Sequence, residues 1–321
     1  MRIFITGASG FIGGAIARSL KDNHQVFAMA RSEESVKKIK NLGITPIISD
    51  LNSIITEHLS NCDIVIHCAG YAEEWGSEKQ FYQSNVEGTR NLLTAAKASD
   101  IKRFIFIGTE AALFHGQDML EVTETYPYAL NSPYPYSRTK AQGEYLVLKA
   151  NRPDFQTISL RPRMVWGPND QSILPTLIKM IKQNKFLWIG NGKYQTSTTH
   201  IDNLVHAVKL ALDNGIGGEA YFIANDNTVS LREFLSSYLK TQGIEIPNRS
   251  MPKSIARFLA FMTENMWRLL KIRQKPPLVR FTIDIMSAHC TVNTEKAKKE
   301  LKYQQIISTE EGLKIMPILS N

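Results

Sequence analysis

Directly after the apolar run Arg2–Ile3–Phe4–Ile5–Thr6 the chain reads Gly7-Ala8-Ser9-Gly10-Phe11-Ile12-Gly13. No other feature constrains the fold so tightly. Gly7 and Gly10 allow a sharp turn and a close backbone approach to a pyrophosphate, and Gly13 lets the next helix, read over 11–22, pack on the strand. The helix N-terminus presents free N–H groups and the positive end of its dipole to an anion. One more residue separates the first two glycines here than in the G-x-G-x-x-G fingerprint. A glycine triplet alone is a structural turn. At residue 7, straight after a buried strand, it points to nucleotide binding, with Ser9, Phe11 and Ile12 in the same turn at the cofactor.

Further β-rich runs follow at 25–30, 45–49, 63–68, 103–107 and 157–160, with helical patterns between them, among them 84–99. Strands that are apolar on both faces and separated by helices predict an α/β fold with a doubly wound parallel sheet and right-handed crossovers. The strand–helix rhythm loosens after Gly167. Residues 1–166 are therefore read as a nucleotide-binding domain. Residues 167–321 are read mainly as a smaller C-terminal substrate domain, with some segments returning to the first. With 43% hydrophobic and 21% charged residues in 321, disorder and collagen-like repeats are excluded. Three cysteines (Cys62, Cys68, Cys290) at no metal spacing predict a reducing, cytoplasmic setting and no metal site. The opening apolar run is too short for a signal peptide, and no apolar stretch is long enough to span a bilayer.

At the end of the second strand, where an acidic residue ordinarily meets a ribose 2′-OH, stand Arg31 and Ser32. A guanidinium suits a 2′-phosphate through forked, charge-assisted hydrogen bonds. NADP(H) is therefore favoured, with Ser32 as a helper. NAD(H) stays open, with Arg31 a solvated charge and Glu33 or Glu34 at the ribose. Asp50 ends the third strand as an adenine acceptor or a turn cap, beside Leu51. Cys68-Ala69-Gly70 ends the fourth with small residues that allow close approach, and Cys68 reads as a packed residue.

Tyr136 and Lys140, at i and i+4, share one helix face. An ammonium beside a phenol lowers the phenol's affinity for its proton, which fits the pair for proton transfer to or from a substrate oxygen. Thr109, at the end of the fifth strand, offers a hydroxyl to orient that oxygen or to cap the strand end. Glu110 next to it is at best a substrate contact. His200, in Thr199-His200-Ile201-Asp202-Asn203, carries a minor site role, with Asp202 read as the helix cap.

These residues together carry a resemblance. TGASGFIG at 6–13, HCAG at 67–70, SNVEGTRNLL at 84–93, YPYSRTK at 134–140 and LRPRMVWGP at 160–168 resemble the extended short-chain dehydrogenase/reductases, over nearly the whole chain. EEWGSEKQFYQSNVEGT, RPRMVWGPND, STTHIDN and AYFIAND resemble the 3β-hydroxysteroid dehydrogenase branch, which includes sterol-4-carboxylate dehydrogenases and 2-alkyl-3-oxoalkanoate reductases. The resemblance implies a Rossmann-type fold and Tyr136 as catalytic acid/base. It also implies Lys140 lowering the phenol pKa and holding the ribose, and Thr109 at the usual Ser/Thr position. Gly7, Gly10 and Gly13 would line the pyrophosphate, Asn85 would support the fifth-strand region, and Pro162 would lie by the nicotinamide. The implied reaction interconverts a secondary alcohol and a ketone on an apolar, sterol-like or long-chain 3-oxoacyl substrate. A nucleotide-sugar epimerase or dehydratase that retains NAD is the alternative, and Arg31 disfavours it.

The net charge of +8 is uneven: 13 basic and 5 acidic residues fall between Lys240 and Tyr303. No nucleic-acid module accompanies them, so no nucleic-acid partner is expected. Within 253–275, Ile255, Phe258, Leu259, Met262, Met266, Leu269 and Leu270 follow helical spacing, flanked by Arg257, Arg268, Lys271, Arg273 and Lys275. This predicts an amphipathic helix packed by its apolar face on the second half of the chain. The other readings are a lid over an apolar pocket or peripheral contact with an anionic membrane. A homodimer is a further expectation.

Overall fold

The computed structural model describes residues 1–272 and 274–318. Its centre is a seven-stranded, all-parallel sheet: β1 (Arg2–Thr6), β2 (Gln25–Ala30), β3 (Thr45–Ile48), β4 (Ile64–His67), β5 (Arg103–Ile107), β6 (Gln156–Pro162) and β7 (Glu219–Ile223). The spatial order is β7-β6-β5-β4-β1-β2-β3. The order therefore reverses between β1 and β4, the switch point at which open α/β sheets present a crevice beyond their strand C-termini. Helices α1 (Phe11–Leu20) and α2 (Glu33–Asn41) cover one face, and α3 (Gly88–Ala98) and α4 (Pro135–Lys149) cover the other. Buried β-branched and aromatic residues such as Ile3, Ile5, Ile66 and Ile105 on one face, and Phe4, Val65, Phe104 and Phe106 on the other, fill both cores.

The strands fall where the apolar runs place them, with ends shifted by one or two residues. The helix expected over 84–99 differs in kind. It opens as a π-turn, Gln83–Glu87, and becomes α-helical only from Gly88. Beyond residue 166 the chain returns to the large sheet through β7 and through α6 (Ile201–Asp213), which packs with α1. A separate core gathers α5 (Ile173–Lys182) and α7 (Leu231–Lys240) around Trp166, Trp188 and Tyr238. The helix at 201 is capped by His200, whose Nδ1 accepts the Asp202 N–H at 3.2 Å. The cap therefore stands two residues before the expected Asp202.

The basic segment forms α8 (Lys253–Leu269), and its packing reverses the expectation. Ala256, Ala260 and Glu264 are the buried residues and face α9 (Arg280–Met286). Phe258 is 62% exposed, Met262 53% and Leu269 82%. The small residues let α8 lie close to its support. Glu264 takes both the backbone N–H and the Nε of Arg280 at 2.7 Å. The larger apolar side chains point outward. Arg273 of the expected basic flank lies outside the described residues. Among the described residues, no helix is long and apolar enough to cross a membrane.

One buried titratable group ties the sheet to its helices. His67 Nδ1 meets the Thr6 hydroxyl at 2.7 Å and Nε2 meets the Thr89 hydroxyl at 3.1 Å. Thr89 already donates to the Asn85 carbonyl, so it can only accept from the ring. The proton of the neutral ring therefore sits on Nε2. Burial, with the Lys140 charge, pushes this imidazole from 6.5 down to about 3.

Two predictions follow from this packing. Ala260→Leu overpacks the α8–α9 contact and lowers stability by about 1–3 kcal/mol, whereas Leu269→Ser stays within about 0.5 kcal/mol; urea unfolding of both variants measures the contrast. The unfolded His67 ring takes up a proton below pH 6.5, while the folded ring resists until about 3. His67 therefore withdraws stability as pH falls through that window. The urea midpoint of the wild type should drop more steeply there than that of His67→Gln.

Candidate active site

The turn after β1 is built by close contact. Gly7 has φ +74°, and a Cβ on it would sit 2.9 Å from the Ala69 nitrogen. A Cβ on Gly13 would sit 2.4 Å from the Gly7 carbonyl oxygen. Both positions exclude any side chain. Gly10, exposed, is the N-cap of α1, where no side chain caps the helix and no acidic residue occupies the first turn. The N-terminal donors of α1 thus face outward from a cradle closed on its inner side by Cys68 and Ala69. Such a cradle fits a dinucleotide pyrophosphate. Ser9, Phe11 and Ile12 are half-buried along its rim.

At the end of β2, Arg31 is exposed. Ser32 is engaged as the α2 N-cap, accepting the Ser35 N–H at 3.2 Å. Asp50 Oδ1 accepts from Asn52 N, Ser53 N and Ser53 Oγ at 2.8–3.0 Å, so this carboxylate caps its turn. Burial pushes its pKa up, but these donors and the nearby Arg31 charge outweigh it and hold the carboxyl below its usual range. Leu51 is buried against Gly88, where a Cβ would meet it at 2.8 Å.

After β4, Ala69 N donates to Thr6 Oγ1 at 3.0 Å, and Gly70 is exposed. Burial pushes the Cys68 thiol up to about 12, which makes it a packed residue and no nucleophile at neutral pH. Asn85, from the π-turn, accepts from Tyr71 N at 2.7 Å and donates to Tyr71 O and Thr139 Oγ1, each at 3.1 Å. It ties the loop after β4 to α4. Pro162, last in β6, is buried at the same edge of the sheet.

Pro135 opens α4 at its first turn, where a missing N–H costs nothing. The helix brings Tyr136 and Lys140 to the C-terminal edge of β5. Lys140 is buried, donates Nζ to the Ile107 carbonyl at 3.0 Å and lies 4.4 Å from the Phe106 ring centroid. Burial pushes it down to about 8, against the opposing pull of Glu144 and Cys68. Tyr136 is half-buried, its ring 5.6 Å from Phe281. Without a bound cofactor, its phenol holds its proton more tightly than free tyrosine does. Burial is the main cause, the Glu110 charge adds to it, and a hydrogen bond with Thr109 opposes it. Lys140 turns its ammonium to the Ile107 carbonyl.

Thr109 caps the turn Glu110–Leu113: it accepts Ala111 N at 3.2 Å and donates Oγ1 to Glu110 Oε2 at 2.8 Å. Glu110 is buried and pairs through Oε1 with Arg163, also buried. Sequence reasoning does not single out Arg163; its place directly after Pro162, the last residue of β6, is the signal that could have found it. Beside Tyr136, a cleft runs between Trp75, Pro133, Tyr134, Val279 and Phe281, with Arg268 at its side. Arg268 lies 5.5 Å from the Trp75 ring, and Lys275 pairs with Glu74 across the same cleft. A more open recess near Met1, Asp22 and His24 lies at the opposite edge of the sheet, away from these groups.

Comparison with known proteins agrees with this arrangement. The model of the 3-beta hydroxysteroid dehydrogenase/isomerase family matches residues 4–253. The 4-hydroxy-2-methyl-3-oxo-4-farnesyl-3,4-dihydroquinoline-1-oxide ketoreductase of Stigmatella aurantiaca is 37% identical, covering 98% of this chain and 95% of its own. The 2-alkyl-3-oxoalkanoate reductase of Stenotrophomonas maltophilia is 32% identical, covering 98% of each. The decarboxylating sterol-4-alpha-carboxylate 3-dehydrogenase of Dictyostelium discoideum is 30% identical over 97% of this chain and 98% of its own. Among solved structures, the UDP-glucuronic acid 4-epimerase of Bacillus cereus in complex with NAD aligns with a TM-score of 0.76 at 23% identity, covering 98% and 97%. That likeness is one of fold. With its parallel sheet, glycine turn and Tyr136–Lys140 helix, the chain belongs to the 3-beta hydroxysteroid dehydrogenase/isomerase family.

Proposed function

We propose that the protein is an NAD(P)-dependent oxidoreductase that interconverts a ketone and a secondary alcohol on an apolar substrate, sterol-like or long-chain 3-oxoacyl. The observation that carries this is the convergence of Tyr136, Lys140 and Thr109 at the strand edge that also holds the glycine cradle. In reduction, the nicotinamide, once bound, would supply the hydride for the carbonyl carbon. Tyr136 gives its phenolic proton to the carbonyl oxygen, which becomes the alcohol. Lys140, pushed down by burial, would hold the nicotinamide ribose and favour the deprotonated phenol. NADP(H) is the favoured cofactor, since exposed Arg31 is free to meet a 2′-phosphate; Asp50 and Leu51 would border the adenine. The relatives, which include a 2-alkyl-3-oxoalkanoate reductase and a sterol-4-alpha-carboxylate dehydrogenase, support an apolar substrate, as do Trp75, Val279 and Phe281 in a recess whose other residues include the charged Glu74, Glu264, Arg268 and Arg280.

Tyr136→Phe should lower kcat by roughly 10²–10⁴-fold with the Kd for NADPH little changed, measured by turnover and by fluorescence titration. NADPH should bind more tightly than NADH, and Arg31→Ala should erase the difference; equal affinities in the wild type would remove the Arg31 assignment. Net NADPH oxidation with an apolar ketone is the expected activity. Turnover of a UDP-sugar with no net consumption of NADPH would place the chain among the epimerases instead.

For such a substrate, the outward face of α8 supports a cytoplasmic protein in peripheral contact with an anionic membrane through 253–275. Basic residues and bulky apolar side chains share that surface, as interfacial helices require. Co-sedimentation with phosphatidylglycerol vesicles should occur, weaken with salt and weaken again in Phe258→Glu. Failure to bind would remove the contact, and a dimer dissolved by Phe258→Glu would assign the face to a second copy of the chain.

A further inference from the structure

Among the described residues, the one aromatic ring packed on Tyr136 is that of Phe281, at a centroid distance of 5.6 Å and an interplanar angle of 61°. Phe281 comes from the second half of the chain, in the first turn of α9. It is half-buried, and it lines the cleft beside Tyr136 together with Trp75, Pro133 and Val279. One side chain thus belongs both to the wall of the cleft and to the packing of the proton donor. A ketone that lies in the cleft and reaches Tyr136 must pass that ring or rest on it.

The ring is held in place from several directions. It lies 5.5 Å from the Tyr134 ring and 6.4 Å from the Phe114 ring, and those two buried rings are stacked on each other at 5.7 Å. The helix that carries Phe281 is fixed at three points. Glu264 takes the Arg280 N–H and Nε, each at 2.7 Å. Ile283 packs on Ala256 and Ala260 of α8. Asp284, three residues after Phe281 and on the same side of the helix, accepts from the Tyr134 hydroxyl and pairs with Arg257 at 3.3 Å. Tyr134 therefore touches Phe281 with its ring and holds the helix of Phe281 with its hydroxyl. Close-packed side chains of this kind yield little. A wall that cannot yield selects by shape.

We propose that Phe281 is the specificity-determining residue at the reacting end of the cleft, a fixed wall that limits the size of the group on the carbon next to the substrate carbonyl. This rests on the reading of Tyr136 as the group that protonates a ketone. A carbonyl oxygen bonded to the phenol brings the neighbouring carbon close to whatever packs on that phenol, and Phe281 is what packs there. A residue that only steadied Tyr136 would affect every ketone alike, whereas a wall affects them by size. The ratio of kcat/KM between two ketones that differ only beside the carbonyl isolates the second effect, because a loss common to both cancels.

The test compares Phe281→Ala with the wild type on matched ketones, using NADPH. The ketones are a ketosteroid and a long-chain 3-oxo ester, each with and without two methyl groups on a carbon beside the reacting carbonyl. The ratio of kcat/KM for the dimethyl ketone to that for its parent should rise by on the order of 10- to 100-fold in Phe281→Ala. It should rise less in Phe281→Leu and fall in Phe281→Trp, while the Kd for NADPH stays the same in all three. Should Phe281→Ala fail to fold, Phe281→Leu is nearer the native volume and carries the same expected sign. A folded variant that slows both ketones by the same factor, leaving the ratio at the wild-type value, overturns the proposal and leaves Phe281 as packing for Tyr136. A wild type that oxidises NADPH with none of these ketones would instead overturn the ketone reading, and the wall with it. Activity in the wild type with an unmoved ratio in the variants would overturn the wall alone.

Discussion

The contact between the turn after β1 and the chain after β4 governs the rest of the molecule. Gly7 lies so near Ala69 and Gly13 so near Gly7 that neither tolerates a methyl group. The crevice at the switch point is therefore narrow and rigid. Thr6 locks it further, accepting from Ala69 N while its hydroxyl meets His67. Once β1 and β4 are fixed in this way, the ends of β5 and β6 fall into place beside them through parallel pairing. Thr109, Glu110 and Pro162 are carried to the crevice as a consequence of sheet geometry, and α4 lays Tyr136 and Lys140 across it.

Within that frame the electrostatics are layered by depth. The outer layer, where α1 begins, is rich in unpaired donors and suits an anion. The middle layer holds Tyr136 and Lys140, both displaced from their solution behaviour chiefly by burial. The inner layer is a pair of closed ionic contacts, Glu110–Arg163 and Glu144–Arg161, the latter with Arg161 Nε at 2.7 Å from the carboxylate. Tyr128 donates to the same Glu144 oxygen at 2.7 Å. Buried ions of this kind are costly to leave unpaired; Glu144 meets both of these partners through Oε1, while its Oε2 is buried without a hydrogen-bond partner.

Much of this was legible in residue patterns. Buried strands are apolar on both faces, so β1, β2, β4 and β5 stand out as continuous runs. The glycine turn stands out because only glycine can occupy it. Tyr136 and Lys140 show themselves by a four-residue spacing. What stayed hidden depends on partners distant in sequence. The pairing of Glu110 with Arg163 spans 53 residues. The π-turn at Gln83–Glu87 leaves hydrophobic spacing nearly unchanged. The direction in which Lys140 points is set by the Ile107 carbonyl. On α8, periodicity identified an apolar face correctly and assigned it to the interior wrongly. Apolar spacing reports that a face is apolar and is silent on what it meets, whereas Ala256 and Ala260, too small to register in such a pattern, proved to be the packing surface.

The inward turn of Glu264 has an effect on how the protein meets its surroundings. It is the one acidic residue between Arg249 and Arg280, among eight basic ones. Being 4% exposed and paired to Arg280, it is hidden from the outside. An approaching body therefore encounters a helix whose visible charges are all of one sign, set among bare hydrocarbon. Long-range attraction and short-range adhesion thus act from the same patch, the first falling off over a Debye length of about 8 Å at physiological salt and the second taking over at contact. Ionic strength should consequently tune how fast this face finds a partner far more than how long it stays.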